Sequence, residues 1–278
     1  MPPPSIEFGD HTGVLTDVLR YFIQILNEGG DRIVTAQSDA CLVFLTLQFL
    51  KAAAEVGFSR RLAMGALGTL MGGLAWYSVA MNIVPLADSY IQWMGSLGTQ
   101  VGAGGVGAVM NDPSMLLDVG FKTVKGMGKV TNDLNILTAA GILLLMCFTA
   151  VLVMLGFTVM GCIAVYVVVK SYVNVVVGVA LIPFAVEPST RFLAAPGIGL
   201  IMEAGISLGT TSVVLSVGHG VMQKLLAMQP PDEMTLRHGW NVFMASVLIS
   251  VLSGGCAAMG KIAGVAVSGA LKAQRLFG

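Results

Sequence analysis

Between Asp133 and Lys170 the chain runs for 36 residues without a formal charge, as LNILTAAGILLLMCFTAVLVMLGFTVMGCIAVYVVV. About 20 apolar residues suffice to cross a hydrocarbon core, so this run alone places the chain in a bilayer. A soluble core helix is rarely so long and uncharged, and here the run is one of several. Hydrophobic residues make up 55% of the chain, charged ones only 11%, and the mean hydropathy is +0.83. The 35 glycines would weaken soluble helices, but in membranes small residues let helix backbones approach closely. The formal net charge of zero gives no overall attraction to nucleic acid or anionic lipid, so any such contact must come from a local patch.

The remaining spans follow from charge placement. Residues 13–27 put Val14, Leu15, Val18, Leu19, Phe22, Ile25 and Leu26 on one face, an amphipathic helix that Gly29, Gly30 and Asp31 should break from the next segment. The first span is expected at residues 34–56, with Asp39 and Lys51 near its ends. Arg60 and Arg61 in the turn that follows point to the cytoplasmic side, because short arginine-bearing loops stay inside. A second uncharged span, residues 62–86, should end near Pro85. Further spans are expected at residues 197–226 and 238–259, with a polar loop between them and a basic tail carrying Lys261, Lys272 and Arg275. Between these, the uncharged run is read as one long tilted helix, followed by a piece that Pro183 and Pro188 interrupt.

The fold class is therefore all-α: a polytopic membrane helix bundle with about five crossings, or six if the long segment folds back at Gly161. Its expected parts are an N-terminal periplasmic or interfacial helix (1–33), two transmembrane helices (34–87), a central helical periplasmic loop (88–134), and a C-terminal bundle with a proline-interrupted hairpin and a short cytoplasmic tail (135–278). This topology puts the N-terminus in the periplasm and the C-terminus in the cytoplasm. The acidic N-terminus has no basic n-region, so no cleaved signal peptide is expected.

The residues offer no catalytic apparatus. His11, His219 and His238 are scattered singly, and Cys41, Cys147, Cys162 and Cys256 lie in apolar segments without metal-ligand spacing. No catalytic, cofactor or metal site is expected. The cluster GAGGVG at 102–107 lacks the Lys-Ser/Thr that completes a phosphate loop. Glu203 lies inside a span, where a carboxylate needs a partner or a cavity, and Lys170 reaches the same depth on the neighbouring helix. An intramembrane Lys170–Glu203 pair is one reading; the other is that both side chains simply reach the interface. Three glycine pairs, Gly68 with Gly72, Gly205 with Gly209, and Gly260 with Gly264, have helix-packing spacing. Lys122, Lys125 and Lys129 recur at helical spacing in the central loop, either as a solvated face or as a surface for passing DNA.

The layout resembles the TrbL-type polytopic inner-membrane subunit of bacterial type IV secretion and conjugation machines. The matching residues are Asp112, Pro113 and Ser114 in the loop, and the stretch SYVNVVVGVALIPFAVEPSTRFLA with its Ile182, Pro183, Phe184 and Thr190. The resemblance implies a non-enzymatic subunit that forms a homo-oligomeric ring, a pentamer, in the inner membrane. It further implies that the ring helps carry DNA or protein substrate outward and supports pilus biogenesis with a periplasmic pilus-tip protein and other inner-membrane subunits. Two other classes remain open from the residues alone. One is a small-solute secondary transporter, which would use broken helices and a membrane carboxylate. The other is a membrane scaffold without transport activity.

Overall fold

The computed structural model describes residues 14–58, 60–101, 112–132, 136–228 and 236–273, and every regular element among them is helical. The long helices are α1 (Val14–Phe58), α2 (Arg60–Val101), α4 (Ile136–Leu181), α5 (Ala194–Ala227) and α6 (Leu236–Ala273), with the shorter α3 (Ser114–Asn132) before α4. Two 3-10 turns, Ile182–Ala185 and Arg191–Leu193, join α4 to α5. Five helices carry stretches long and apolar enough to cross a membrane: Leu15–Ala54, Leu67–Val101, Leu143–Ala185, Arg191–Ala227 and Arg237–Leu271. The chain is thus an all-α polytopic bundle, with the uncharged run from Ile136 on lying in a single helix, α4.

Two expected breaks are absent. The amphipathic segment and the first span form one helix, because α1 continues through Gly29, Gly30 and Asp31. Each helical glycine costs about 1 kcal/mol relative to alanine. Packing offsets that cost, since Leu19 and Ile23 before the glycines and Gln37, Cys41, Gln48 and Ala52 after them are buried at helical spacing in phase with one another. Likewise α2 does not end near Pro85 but runs on to Val101. Beyond the proline, Ala87 and Ile91 are buried and Gly95 and Gly98 lie against α5, so tertiary contact holds the extra turns in place. The stretch after residue 88 is accordingly the end of α2 rather than the start of a loop.

α5 is the hub. It packs on α2, α4 and α6, and nearly two thirds of its most apolar window is buried. Its faces are small, so backbones come close. Gly197 meets α4 at Gly178, where a methyl on either glycine would sit 2.7 Å from the other's carbonyl oxygen. Gly199 meets α6 at Gly264 in the same way, again at 2.7 Å. This close approach is how glycine serves membrane helices. The main core, with Phe157, Met160, Val167, Leu215 and Met222, fills the space between α4, α5 and their neighbours.

Candidate functional site

The site is built where α4, α5 and α6 meet. Lys170 Nζ lies 2.8 Å from Glu203 Oε1, bridging α4 and α5. One turn of sequence explains the registration: the neighbouring Ser171 donates its hydroxyl to the Ala204 carbonyl at 3.1 Å, so adjacent residues on each helix are tied twice. Gly264 of α6 closes the third side, and a methyl there would meet Glu203 Cβ at 2.8 Å. The Glu203 side chain is 11% exposed and that of Lys170 is 23% exposed. A carboxylate so buried inside a crossing helix needs its counter-charge, and the pair supplies it. Lys170 also borders an apolar groove between α1 and α4, with Leu15, Phe22 and Val173.

A second polar cluster ties α3 to the start of α1. Asp112 is 2% exposed and its Oδ1 accepts from the Thr16 hydroxyl at 2.5 Å and from the Ser114 backbone N–H at 3.2 Å. The Thr16 and Ser114 hydroxyls lie 2.9 Å apart, and the Thr16 N–H donates to Ser114 Oγ at 3.4 Å. Asp112 therefore does two things, capping the first turn of α3 and clamping α1. From there α3 lies against α4 through Leu116, Val119, Gly120, Thr123 and Met127, with Gly120 on Phe157. Lys122 and Lys125 are exposed on the other face. They are not brought to the Lys170–Glu203 pair. The side chain of Lys129 and the glycine cluster at 102–107 lie outside the described residues.

The proline-interrupted turn is pinned to the α1–α2 hairpin. Pro183 opens the 3-10 turn, and the Phe184 ring sits 5.5 Å from that of Phe44 on α1. The Thr190 hydroxyl donates to the Phe184 carbonyl at 3.0 Å and Arg191 Nε to the Ala185 carbonyl at 3.1 Å, while the Arg191 guanidinium lies 5.8 Å from the centre of the Trp76 ring. Gln48 of α1 completes the seal, donating to the Val186 carbonyl at 2.7 Å. Gln37 does the same between α1 and α2, donating to Ala80 at 3.0 Å. The sequence alone assigns Thr16, Gln37 and Gln48 no role. Their one signal is a polar residue on an otherwise apolar face of a crossing helix.

The glycine pairs divide. Gly205 lies under the Tyr90 ring, and Gly209 lies against Met94 and Leu97, so this pair seats α2 on α5. Gly260 lies against Ser207 and the Glu203 carbonyl, and with Gly264 it seats α6 on α5. Among the described residues Gly68 and Gly72 meet no neighbouring helix; the adjacent Gly73 instead packs on Gln48. Among the described residues no cluster of histidine, cysteine, aspartate or glutamate has metal-binding spacing.

Residues 41–259 match the family described as TrbL/VirB6 plasmid conjugal transfer protein. The chain belongs to the TrbL family. The matched region takes in all of α2 to α5 and therefore both Asp112-Pro113-Ser114 and the Pro183–Thr190 turn, together with the Lys170–Glu203 pair. Thr16, which holds Asp112 from the other side, and Gly260 and Gly264 lie outside it. No curated protein and no solved structure matches the chain. Membership makes the protein a component of conjugal transfer and type IV secretion machinery, a family of machine parts and not of enzymes. As a multi-pass membrane protein, this TrbL family member works beside other subunits of that machinery.

Proposed function

We propose that this TrbL family member is an inner-membrane assembly platform and conduit subunit of a conjugative type IV secretion machine. In this reading it passes substrate outward and supports pilus biogenesis. The observation that carries the reading is the family match over residues 41–259, which spans the helical hub and both pinned turns. The bundle's construction supports it. Small-residue seams and polar clamps such as Asp112–Thr16 and Gln48–Val186 make a rigid body suited to anchoring partners. The copies form a homo-oligomeric ring, a pentamer, with the N-terminus in the periplasm and the C-terminus in the cytoplasm; the arginines Arg60 and Arg61 at the start of α2 support this orientation, because short arginine-bearing connections stay inside. A periplasmic pilus-tip protein and other inner-membrane subunits dock on this ring. The exposed Lys122 and Lys125, with Lys129 on the same helix, present positive charge to passing DNA. The protein itself does no chemistry.

The test is to trap the moving strand. Donor cells caught in transfer are treated with formaldehyde, and the protein is immunoprecipitated from detergent extracts. Plasmid DNA recovered with it from donors in transfer, and absent from donors without recipients, supports the conduit. Recovery of pilin or tip protein without DNA would reduce the role to assembly.

A further inference from the structure

An apolar groove runs along the seam between α1 and α4. It encloses about 480 Å³, with Leu15 and Phe22 of α1 on one side and Cys162, Val165, Val169 and Val173 of α4 on the other. Among the described residues, those with a polar group on its wall are Lys170 and Tyr166, one turn apart on α4. The two helices touch at either end of it. A methyl on Gly161 would lie 2.8 Å from Leu15 Cδ1, and one on Gly30 would lie 4.0 Å from Val176 Cγ2. Between those contacts Phe22 and Tyr166 are 51% and 60% exposed.

The size of the groove selects its occupant. From Cys162 to Val173 the wall measures about 16 Å at the helical rise of roughly 1.5 Å per residue. That is one leaflet, half of a hydrocarbon core about 30 Å thick. A helix about 10 Å across would need roughly 1,300 Å³ over the same length, so a neighbouring helix is too thick to enter. Leu15 also stops the groove at Gly161, with the Pro113 carbonyl behind it. A crossing helix would have to run on past that stop, whereas a flexible chain of methylenes ends there. Filling the groove with methylenes gives its walls the dispersion contacts that a void denies them.

The other end carries a charge. Lys170 is the first charge after 36 uncharged residues, a run of about 50 Å against about 30 Å of hydrocarbon, so it stands near the rim where lipid phosphates lie. An ammonium has three donors. One meets Glu203 Oε1 at 2.8 Å, and the Lys170 side chain stays 23% exposed. Its remaining N–H groups suit a phosphate oxygen, in a charge-assisted hydrogen bond. We propose that the groove holds one acyl chain of a membrane phospholipid, with the lipid's phosphate against Lys170.

The experiment is native mass spectrometry of the full chain in mild detergent, with palmitoyl-oleoyl phosphatidylglycerol added back. One phospholipid per chain should persist after looser lipid is stripped. Val173→Trp, whose ring fills the groove, should lose it, while Val151→Trp, exposed on α4 outside the groove, should keep it. Lipid retained by Val173→Trp would overturn the site; retention together with a dissociated native-gel oligomer would give the groove to a second copy instead. The wild-type protein supplies an arm that no variant can spoil. Phosphatidylglycerol with a photoreactive diazirine in its acyl chain should cross-link within residues 15–22 and 162–173. Adducts spread evenly over the exposed faces of α4 and α6 would mean ordinary surrounding lipid and would overturn it. Diacylglycerol with the same chains but no phosphate should compete about tenfold more weakly, the loss of one hydrogen bond to a charged group. Equal competition would overturn the phosphate contact at Lys170.

Discussion

At the scale of single residues, Thr16, Gln37, Gln48, Ser171 and Glu203 each answer to a partner across a helix boundary. Glu203 is tolerable inside a crossing helix because Lys170 Nζ sits 2.8 Å away. Removing one member of a buried pair costs about 3–5 kcal/mol, and less where one side chain is part-exposed, as Lys170 is. Lys170→Met should therefore lower the thermal midpoint of the detergent-purified protein more than the double variant Lys170→Met/Glu203→Gln, which leaves no orphaned charge. Equal losses would mean the pair carries no coupling. Thr16→Val removes one hydroxyl from the Asp112 cluster and should cost about 1 kcal/mol. The loss should appear as faster proteolysis around α3, and unchanged cleavage would show that the clamp holds nothing. The Lys170–Glu203 pair was readable because two opposite charges fell at one depth in neighbouring spans. Thr16, Gln37 and Gln48 were not, because whether a polar residue faces lipid or a neighbouring carbonyl is set by how the helices turn against each other.

Whole helices show where local propensity loses to packing. Gly29, Gly30 and Pro85 read as stops, yet α1 and α2 pass through them because the buried stripes on either side stay in phase. The long uncharged run was legible as one helix because nothing along it breaks the 3.6 period, and the interruption came where Pro183 stands. Equal glycine spacing also hides unequal roles. Gly205→Leu drives a side chain into Tyr90 and should cost about 1–3 kcal/mol or more, whereas Gly68→Leu faces open space within the chain. Monodisperse yield from detergent should fall for the first and hold for the second within one copy. A yield equally reduced by both would point to an interface over Gly68 and Gly72. On α3, Leu116, Val119, Thr123 and Met127 are buried and Lys122 and Lys125 are exposed, so replacing these two lysines with Gln should leave folding intact. If those charges touch DNA, transfer should drop by about tenfold or more; unimpaired transfer would make them a solvated face only.

At the scale of the molecule, one arrangement accounts for the parts: a small-faced central helix, three neighbours seated on it through glycines, and a proline turn sealed by glutamine and arginine. Family membership assigns that body to conjugal transfer machinery. The most direct measurement is plasmid transfer frequency from the native donor with this gene deleted in frame, then restored from a second plasmid. Loss of transfer rescued by the intact gene is the predicted result. Transfer undiminished by the deletion would contradict the account.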